Sequence, residues 1–515
     1  MWERKILEQY EQKMKHSREG GGIERIEKQH LSGKMTARER LEFLFDKDTF
    51  VEINGLIESR IDDFGLNEKK VPGDGVVTGY GKINGRLVFA SSQDFTVIGG
   101  TLGEYHSIKI CNIMDMAYEA KAPYICINDS GGARIEEGIS SLDGYSGIFY
   151  RNTKMSGVVP QIAVILGPCA GGACYSPAIM DFIFMSESNG LMFITGPQVV
   201  KSVIGEEISA KDLGDASIHM EKSGVAHFIY ADDQKCLEGV QKLLSYLPNN
   251  CFSLANRVDT RYSGNCSMLE EIVPDIQKKA YDVKEVIKQI VDDESYLEIQ
   301  SSFAKSISVG LARLDGNTIG IIANQPSWMG GALDVDSSDK AARFIRFCDC
   351  FNIPVVSLVD VTGFMPGSKQ EHAGIIRHGA KMLYAFSEAT VPKISLITRK
   401  AYGGAYIAMN SKSMGADIVL AWPIAQLAVM GAEGAVSIIF RQQIKNAADP
   451  EKEKKRLMDE YEDKFMNPYV AASRGYIDAI VRPEETRNSL VNALEMLHGK
   501  LKNNAVARKH GNIPL

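Results

Sequence analysis

Several familiar chemistries are missing from this sequence. It has no GxSxG, no HExxH, no Walker lysine motif, and no GxGxxG at a strand-to-helix junction. Those absences remove the serine-hydrolase, zinc-protease, P-loop and dinucleotide readings at motif level. Its nine cysteines are scattered without a CxxC pair, with Cys348 and Cys350 nearest in sequence. A zinc ribbon is thereby excluded, and no metal is expected. The odd count fits free, mostly buried thiols in a reducing compartment. The net charge is −7 and no long basic block exists, so nucleic-acid binding has no electrostatic support. Met1-Trp2-Glu3-Arg4 opens a charged helical pattern without an apolar core, so no signal peptide is visible and a cytoplasmic location is expected. The stretch from Met155 to Met180 carries no charge and is long enough to span a membrane. Pro160, Pro168, Pro177 and several glycines interrupt it, which makes it strand, turn and helix instead.

That same stretch holds the strongest positive signal. An apolar run from Val158 to Leu166 has the pattern of a buried strand. Gly167-Pro168-Cys169-Ala170-Gly171-Gly172-Ala173-Cys174-Tyr175-Ser176-Pro177 follows, and Ala178-Ile179-Met180 has the pattern of a starting helix. Adjacent glycines let the backbone turn sharply and let a ligand approach the main chain. The first amides of the next helix lack carbonyl partners and sit at the positive end of its dipole. Such a place stabilises a phosphate or a developing oxyanion. Arg399-Lys400-Ala401-Tyr402-Gly403-Gly404-Ala405-Tyr406 repeats the design later in the chain.

Residues 1 to about 45 look helical and charged, with Gly20-Gly21-Gly22 as a break. Thr36 and Glu39 have capping-box spacing for a helix through Leu44, expected on the surface. From Gly73 short apolar runs alternate with glycine. Val76–Tyr80 and Arg86–Ala90 form a hairpin around Asn84-Gly85. A helix from about Tyr105 to Ala120, a strand Tyr124–Ile127 and a polar loop Asn128–Arg134 follow, an α/β alternation. The turn-rich stretch 247–268 marks the domain boundary. A charged helix is expected over Ile276–Asp293, and a solvated one over Asp449–Lys464.

The punctuation then recurs. Gly316 follows Gly85, Gly330 follows Gly99, Lys340 follows Lys109 and Pro354 follows Pro123, each by 231 residues. Gly404 follows Gly172 by 232 and Gly431 follows Gly196 by 235. So steady a register means two copies of one α/β unit. Each copy offers a site where a carbonyl oxygen can become anionic, so two carbonyl-bearing reactants are implied. His372 and His378 are six residues apart, poor spacing for one helical face, and no orienting carboxylate stands in register. Asp360 reads as a loop or cap residue rather than a base.

These motifs resemble the carboxyltransferase subunits of biotin-dependent acyl-CoA carboxylases, especially the propionyl-CoA carboxylase β type. Asn128–Arg134, Ser337–Phe347, Asp360–Gly367, Gly374–Lys381 and the ending Arg508–Leu515 share the resemblance, which runs from about residue 24 to 515. It implies a tandem duplication of a crotonase-like β-β-α superhelix domain, with an acyl-CoA side at residues 1–256 and a biotin side at 257–515. It implies a hexamer built as a trimer of dimers, with each site between the first domain of one chain and the second domain of its partner. Gly171 and Gly172, with Ala173, would hold the thioester oxygen. Ser130, Gly131, Gly132, Ala133, Arg134, Tyr175 and Ile407 would line the acyl-CoA site. Gly404 and Ala405 would hold the ureido oxygen of biotin, with Gly403, Gly363 and Phe364 beside it. In that scheme carboxybiotin releases carbon dioxide, the biotin anion takes the α-proton, and the enolate attacks. No side-chain base is required.

Ile407 stands where propionyl-type members usually carry aspartate, which weakens the case for propionyl-CoA. Met14-Lys15 sits in a charged helix, the wrong context for biotinylation, so biotin must come on a carrier or biotin carboxylase partner. The same subunit type also serves membrane-coupled decarboxylases of methylmalonyl-CoA or glutaconyl-CoA, so direction stays open. Two retained Gly-Gly-Ala turns speak against a crotonase-type hydratase or isomerase and against a non-catalytic scaffold.

Overall fold

The computed structural model describes residues 4–500; the Arg508–Leu515 motif and Met1 to Glu3 lie outside them. The chain parts into two compact units between Leu254 and Ala255. In the first, eight strands are β1 (Val51–Ile53), β2 (Val76–Ile83), β3 (Arg86–Gln93), β4 (Tyr124–Ser130), β5 (Gln161–Ala170), β6 (Phe182–Ser186), β7 (Leu191–Phe193) and β8 (Phe228–Tyr230). Their order is β1-β2-β3-β4-β5-β6-β8, with β7 beside β5. The β1/β2 and β2/β3 pairs are antiparallel and all others parallel.

The second unit repeats this with β9 (Leu297–Ile299), β10 (Ile307–Leu314), β11 (Asn317–Asn324), β12 (Val355–Val361), β13 (Lys393–Tyr402), β14 (Ile418–Ala421), β15 (Gln426–Ala428) and β16 (Ala479–Ile480). The order β9-β10-β11-β12-β13-β14-β16, with β15 beside β13, is the same. The expected α/β duplication is therefore borne out. Asn84-Gly85 and Asp315-Gly316 close their hairpins with both residues at positive φ, the geometry a two-residue turn needs. The repeat also reaches further upstream than the 231-residue register shows. The Arg38–Glu52 ion pair of 2.9 Å recurs as Lys284–Glu298 at 2.7 Å, now 246 residues on.

Helices cover the parallel strands and build the cores. In the first unit Ile110, Ile113, Met114 and Ala117 of the helix Glu104–Ala120 pack with Tyr145 and Ile148 of the helix Ile139–Met155. In the second, Val286, Ile287 and Ile290 of the helix Val283–Ile290 pack against β10, β11 and β12. Two buried lysines hold matching places. Lys109 donates to the carbonyls of Gly73 and Val76, and Lys340 to those of Gln300, Phe303 and Ile307.

Several local expectations need correction. The Thr36–Glu39 capping box forms, but the helix Ala37–Leu44 is not a surface helix: Arg40, Leu41 and Leu44 are fully buried. The segment Ile276–Asp293 is helical only over Val283–Ile290. Upstream, the Arg399 guanidinium takes the carbonyls of Pro274, Ile276 and Lys279, which a helix would need for itself. The strand from Tyr124 runs on to Ser130, because Asn128, Asp129 and Ser130 are buried and bonded rather than looped out. The solvated helix near the C-terminus is present as Pro450–Phe465, with only Leu457 buried.

Candidate active site

Strand β5 ends at Ala170, and Gly171 turns the chain at φ +64°, a left-handed conformation that costs other residues energy. A tight helical turn, Gly171–Cys174, then runs directly into the helix Tyr175–Ile179. The helical stretch thus starts at Gly171 and ends where Ala178–Met180 was expected to begin one. Gly171 and Gly172 head that stretch, so their amides have no carbonyl one turn behind them, and Ala173 is the first residue to bond back, to Ala170. A Cβ on Gly172 would come 3.2 Å from Cδ2 of the Tyr145 ring, so a side chain here would have to push that ring aside.

The end of β4 is folded back onto this turn. Ser130 pairs with Cys169 across the two strands, and a Cβ on Gly132, itself at φ +108°, would lie 3.0 Å from the Ala170 carbonyl. Gly132 donates its N–H to the Ser130 hydroxyl at 3.1 Å, and Gly131 donates to the Gly99 carbonyl at 3.0 Å. The structure therefore sets Ser130 and Gly132 against Cys169 and Ala170, the residues that lead into Gly171, while Gly131 and Ala133 face Gly99 and Leu102. Tyr175 is nearly half exposed and meets the Phe149 ring edge-on, with Phe149 stacked on Tyr145. Arg134 behaves differently from the expectation. It is 1% exposed, and its guanidinium donates to Asp74 at 2.7 Å, to Glu137 at 2.6 Å and to the Thr101 carbonyl at 3.0 Å. Its guanidinium braces the loop from within. Burial still pushes the Asp74 carboxyl up, with Arg134 opposing.

The second unit makes the same junction. Strand β13 ends at Tyr402, Gly403 turns at φ +59°, and the helix Gly403–Ala408 follows. Gly363 accepts from the Leu333 N–H at 3.0 Å, as Gly132 does from Leu102 at 2.9 Å. The Phe364 ring lies 2.9 Å from a Cβ built on Gly379 and 3.9 Å from one on Gly404. Gly363, Phe364, Gly403, Gly404 and Ala405 thus form one cluster, with Ala405 buried and Gly404 open. Ile407 is 44% exposed one step beyond. Burial pushes the neighbouring Tyr406 hydroxyl up to about 12, so it stays protonated.

Two other readings change. Asp360 is neither a loop nor a cap residue: it is inside β12, 1% exposed, and ion-paired to Arg399 at 2.9 Å. His378 does have an orienting carboxylate, Asp339, whose oxygens lie 2.8 and 2.9 Å from Nδ1. Lys381 shares that carboxylate, so the cluster is an ion-paired network between two helices. Among the described residues no group of three or more His, Cys, Asp or Glu could hold a metal ion, and no helix is long and apolar enough to cross a membrane.

One neighbouring feature had no sequence signal. A cavity of about 480 Å³ in the first unit is lined by Arg25, Lys28, Lys34, Lys69, Phe95, Ile98 and Gly99 among others. Gly99 is the residue that accepts from Gly131, so this basic, partly aromatic cavity adjoins the β4 loop. In sequence these cations belong to a helix and loop that look merely solvated. Ile98 adopts φ +48°, unusual for a β-branched side chain, and Met329 adopts φ +47° at the matching place.

The chain matches the family model for the carboxyl transferase domain over residues 28–513. The chain belongs to the carboxyl transferase family. Within it, the chain is 56% identical to the methylmalonyl-CoA decarboxylase subunit alpha of Propionigenium modestum, covering 96% of both. It is 53% identical to a putative propionyl-CoA carboxylase beta chain of Bacillus subtilis, covering 99% of both. Among solved structures, the transcarboxylase 12S hexamer core with methylmalonyl-coenzyme A and methylmalonic acid bound superposes with a TM-score of 0.96 at 51% identity, over 100% of this chain and 99% of that one. The expectation of a biotin-dependent acyl-CoA carboxyltransferase subunit with a duplicated fold is borne out.

Proposed function

We propose that this chain moves a carboxyl group between biotin, carried on a partner protein, and the α-carbon of a short acyl-CoA. The observation that supports it most is the paired turn: Gly171 and Gly403 leave equivalent strands at nearly the same left-handed φ and each heads a helical stretch, a tight turn in the first unit and an α-helix in the second. In this reading residues 1–256 take the acyl-CoA. The amides of Gly171 and Gly172, in the turn that Ala173 closes, donate to the thioester oxygen as it gains charge on enolate formation. A preorganised donor of this kind contributes roughly 10²–10³ in rate. Ser130, Gly131, Gly132 and Ala133 wall that turn, Tyr175 flanks it, and the basic cavity suits the phosphates of coenzyme A.

Residues 257–515 take the biotin. A Cβ on Gly403 would crowd the Val429 carbonyl at 3.0 Å and Gly404 is open, so a ureido oxygen fits against main-chain amides where side chains would block it. Biotin, when bound, supplies or accepts the carboxyl group; Gly404 and Ala405 hold its oxygen, and Gly363 and Phe364 wall the approach. Ile407 stands at the acyl end. The transcarboxylase neighbour is a hexamer. A like assembly here is supported by exposed Ile194, Val203 and Ile204 in one unit and Val429, Ile438 and Ile439 in the other, apolar side chains that an assembled partner would cover. Nine free thiols support a cytoplasmic location.

The decarboxylating direction is the second reading, favoured by the identity to a methylmalonyl-CoA decarboxylase subunit. The test is transfer from malonyl-, methylmalonyl- or glutaconyl-CoA to free biotin. Transfer from one donor is expected, and none from any of the three overturns the proposal. Co-purification then separates the directions: a biotin carboxylase subunit points to carboxylation, a multi-span membrane subunit to decarboxylation.

A further inference from the structure

The first turn differs from the second in one chemical respect. Cys169 is the penultimate residue of β5, and Cys174 closes the helical turn, so two thiols bracket Ala170, Gly171, Gly172 and Ala173. The Cys174 thiol donates to the Cys169 carbonyl at 2.9 Å and to the Phe193 carbonyl at 3.1 Å. The second unit builds the same turn with Ala401 and Tyr406 at these places, each 232 residues on. Sulfur is therefore not what shapes the turn.

We propose that Cys169 and Cys174 are an oxidisable dithiol, and that closing it to a disulfide switches off the thioester-binding turn. This rests on the reading of Gly171–Ala173 as the oxyanion site. Contact with the Cys169 thiol holds the Cys174 thiol below its usual value, and the same contact, then burial, pushes Cys169 well above it. Cys174 is thus the attacking thiol and Cys169 the resolving one. With hydrogen peroxide as oxidant, the Cys174 thiolate attacks one peroxide oxygen, the O–O bond breaks, and hydroxide leaves to become water. The Cys169 sulfur then attacks the Cys174 sulfenic acid, the S–O bond breaks, and a second water leaves with the Cys169 proton. Two thiols lose two electrons and one peroxide gains them. Closure pulls the Cys174 sulfur off both carbonyls and draws the chain ends of the turn together, so the amides of Gly171 and Gly172 lose their aim.

The test treats the purified full-length protein with hydrogen peroxide, maps the tryptic peptides by mass under non-reducing conditions, and assays carboxyl transfer to biotin before oxidation, after it, and after dithiothreitol. The expected result is a peptide two hydrogens lighter holding a Cys169–Cys174 bridge, with transfer falling roughly 10²-fold and returning on reduction. Cys174→Ser and Cys169→Ser should each lose the bridge and the reversible inhibition, judged against their own untreated rate. Absence of the bridge in an active enzyme overturns the switch alone. So does a bridge without loss of transfer, or equal reversible inhibition in both variants. A reduced enzyme with no transfer from any donor overturns the site reading and the switch with it, while the mass map still reports whether the bridge forms.

Discussion

Arg399 donates through Nε to Asp360 at 2.9 Å from the adjoining strand. The matching position in the first unit is Gly167, where a Cβ would sit 1.9 Å from Oδ1 of Asp129. Asp129 stands where Asp360 stands, yet takes its counter-charges from Lys34 at 2.8 Å and Arg40 at 3.0 Å. The two halves keep one buried carboxylate behind the site and neutralise it from different places.

Arg40 also pairs with buried Asp233 at 2.8 Å. Arg40→Ala should therefore strand Asp233, leave Asp129 with Lys34 alone, and cost about 3–5 kcal/mol. The urea midpoint of the first unfolding transition reports it, and an unchanged midpoint would show that Lys34 alone suffices.

Gly172→Val and Gly404→Val should each lower carboxyl transfer by roughly 10²–10³-fold. Gly404 is the cleaner case, because the nearest atom to its Cβ is Cε2 of Phe364 at 3.9 Å. Gly172→Val must also displace Tyr145. Circular dichroism should show both variants folded, and normal turnover would count against the oxyanion assignment.

Ile407→Asp places a charge on a side chain that is already 44% exposed, so the fold should tolerate it. Preference among acetyl-, propionyl- and methylmalonyl-CoA should shift by about tenfold, the scale of one methylene-sized contact. An unchanged ratio of kcat/KM values would place Ile407 outside the acyl pocket.

Lys28 and Lys69 are exposed cations lining the basic cavity. Lys28→Ala and Lys69→Ala should each raise KM for acyl-CoA about twofold to fivefold, leaving kcat unchanged. The difference should shrink with added salt. A change in kcat instead would move these residues out of ground-state binding.

Burial lowers Lys340 from 10.5 to about 7 and Lys109 from 10.5 to about 8. Between those values and 10.5 the unfolded chain holds protons that the folded one does not. Stability should therefore rise with pH across that window and be lost as pH falls toward 7, with each lysine adding up to about 1.4 kcal/mol per pH unit. Lys340→Met should flatten the rise in urea midpoint between pH 7 and 9; an identical slope would show that Lys340 stays charged among its three carbonyls.

Much of this molecule follows from local chemistry. Paired glycines after a β-branched run, Asn84-Gly85 with Asp315-Gly316, and a register of 231 residues determine the duplicated α/β fold and the two turns, because glycine conformation and strand periodicity are properties of neighbours in sequence. Other features depend on groups far apart along the chain. Arg40 looked like a surface residue until Asp129 and Asp233 closed on it, and Arg134 looked substrate-facing until Asp74 and Glu137 took its guanidinium. Asp339 oriented His378 from another helix, and the cavity cations met Phe95 and Gly99 only through the fold. Burial and counter-charge are long-range properties. Sequence determined where the backbone turns; tertiary packing decided which charges brace the structure and which are left to bind.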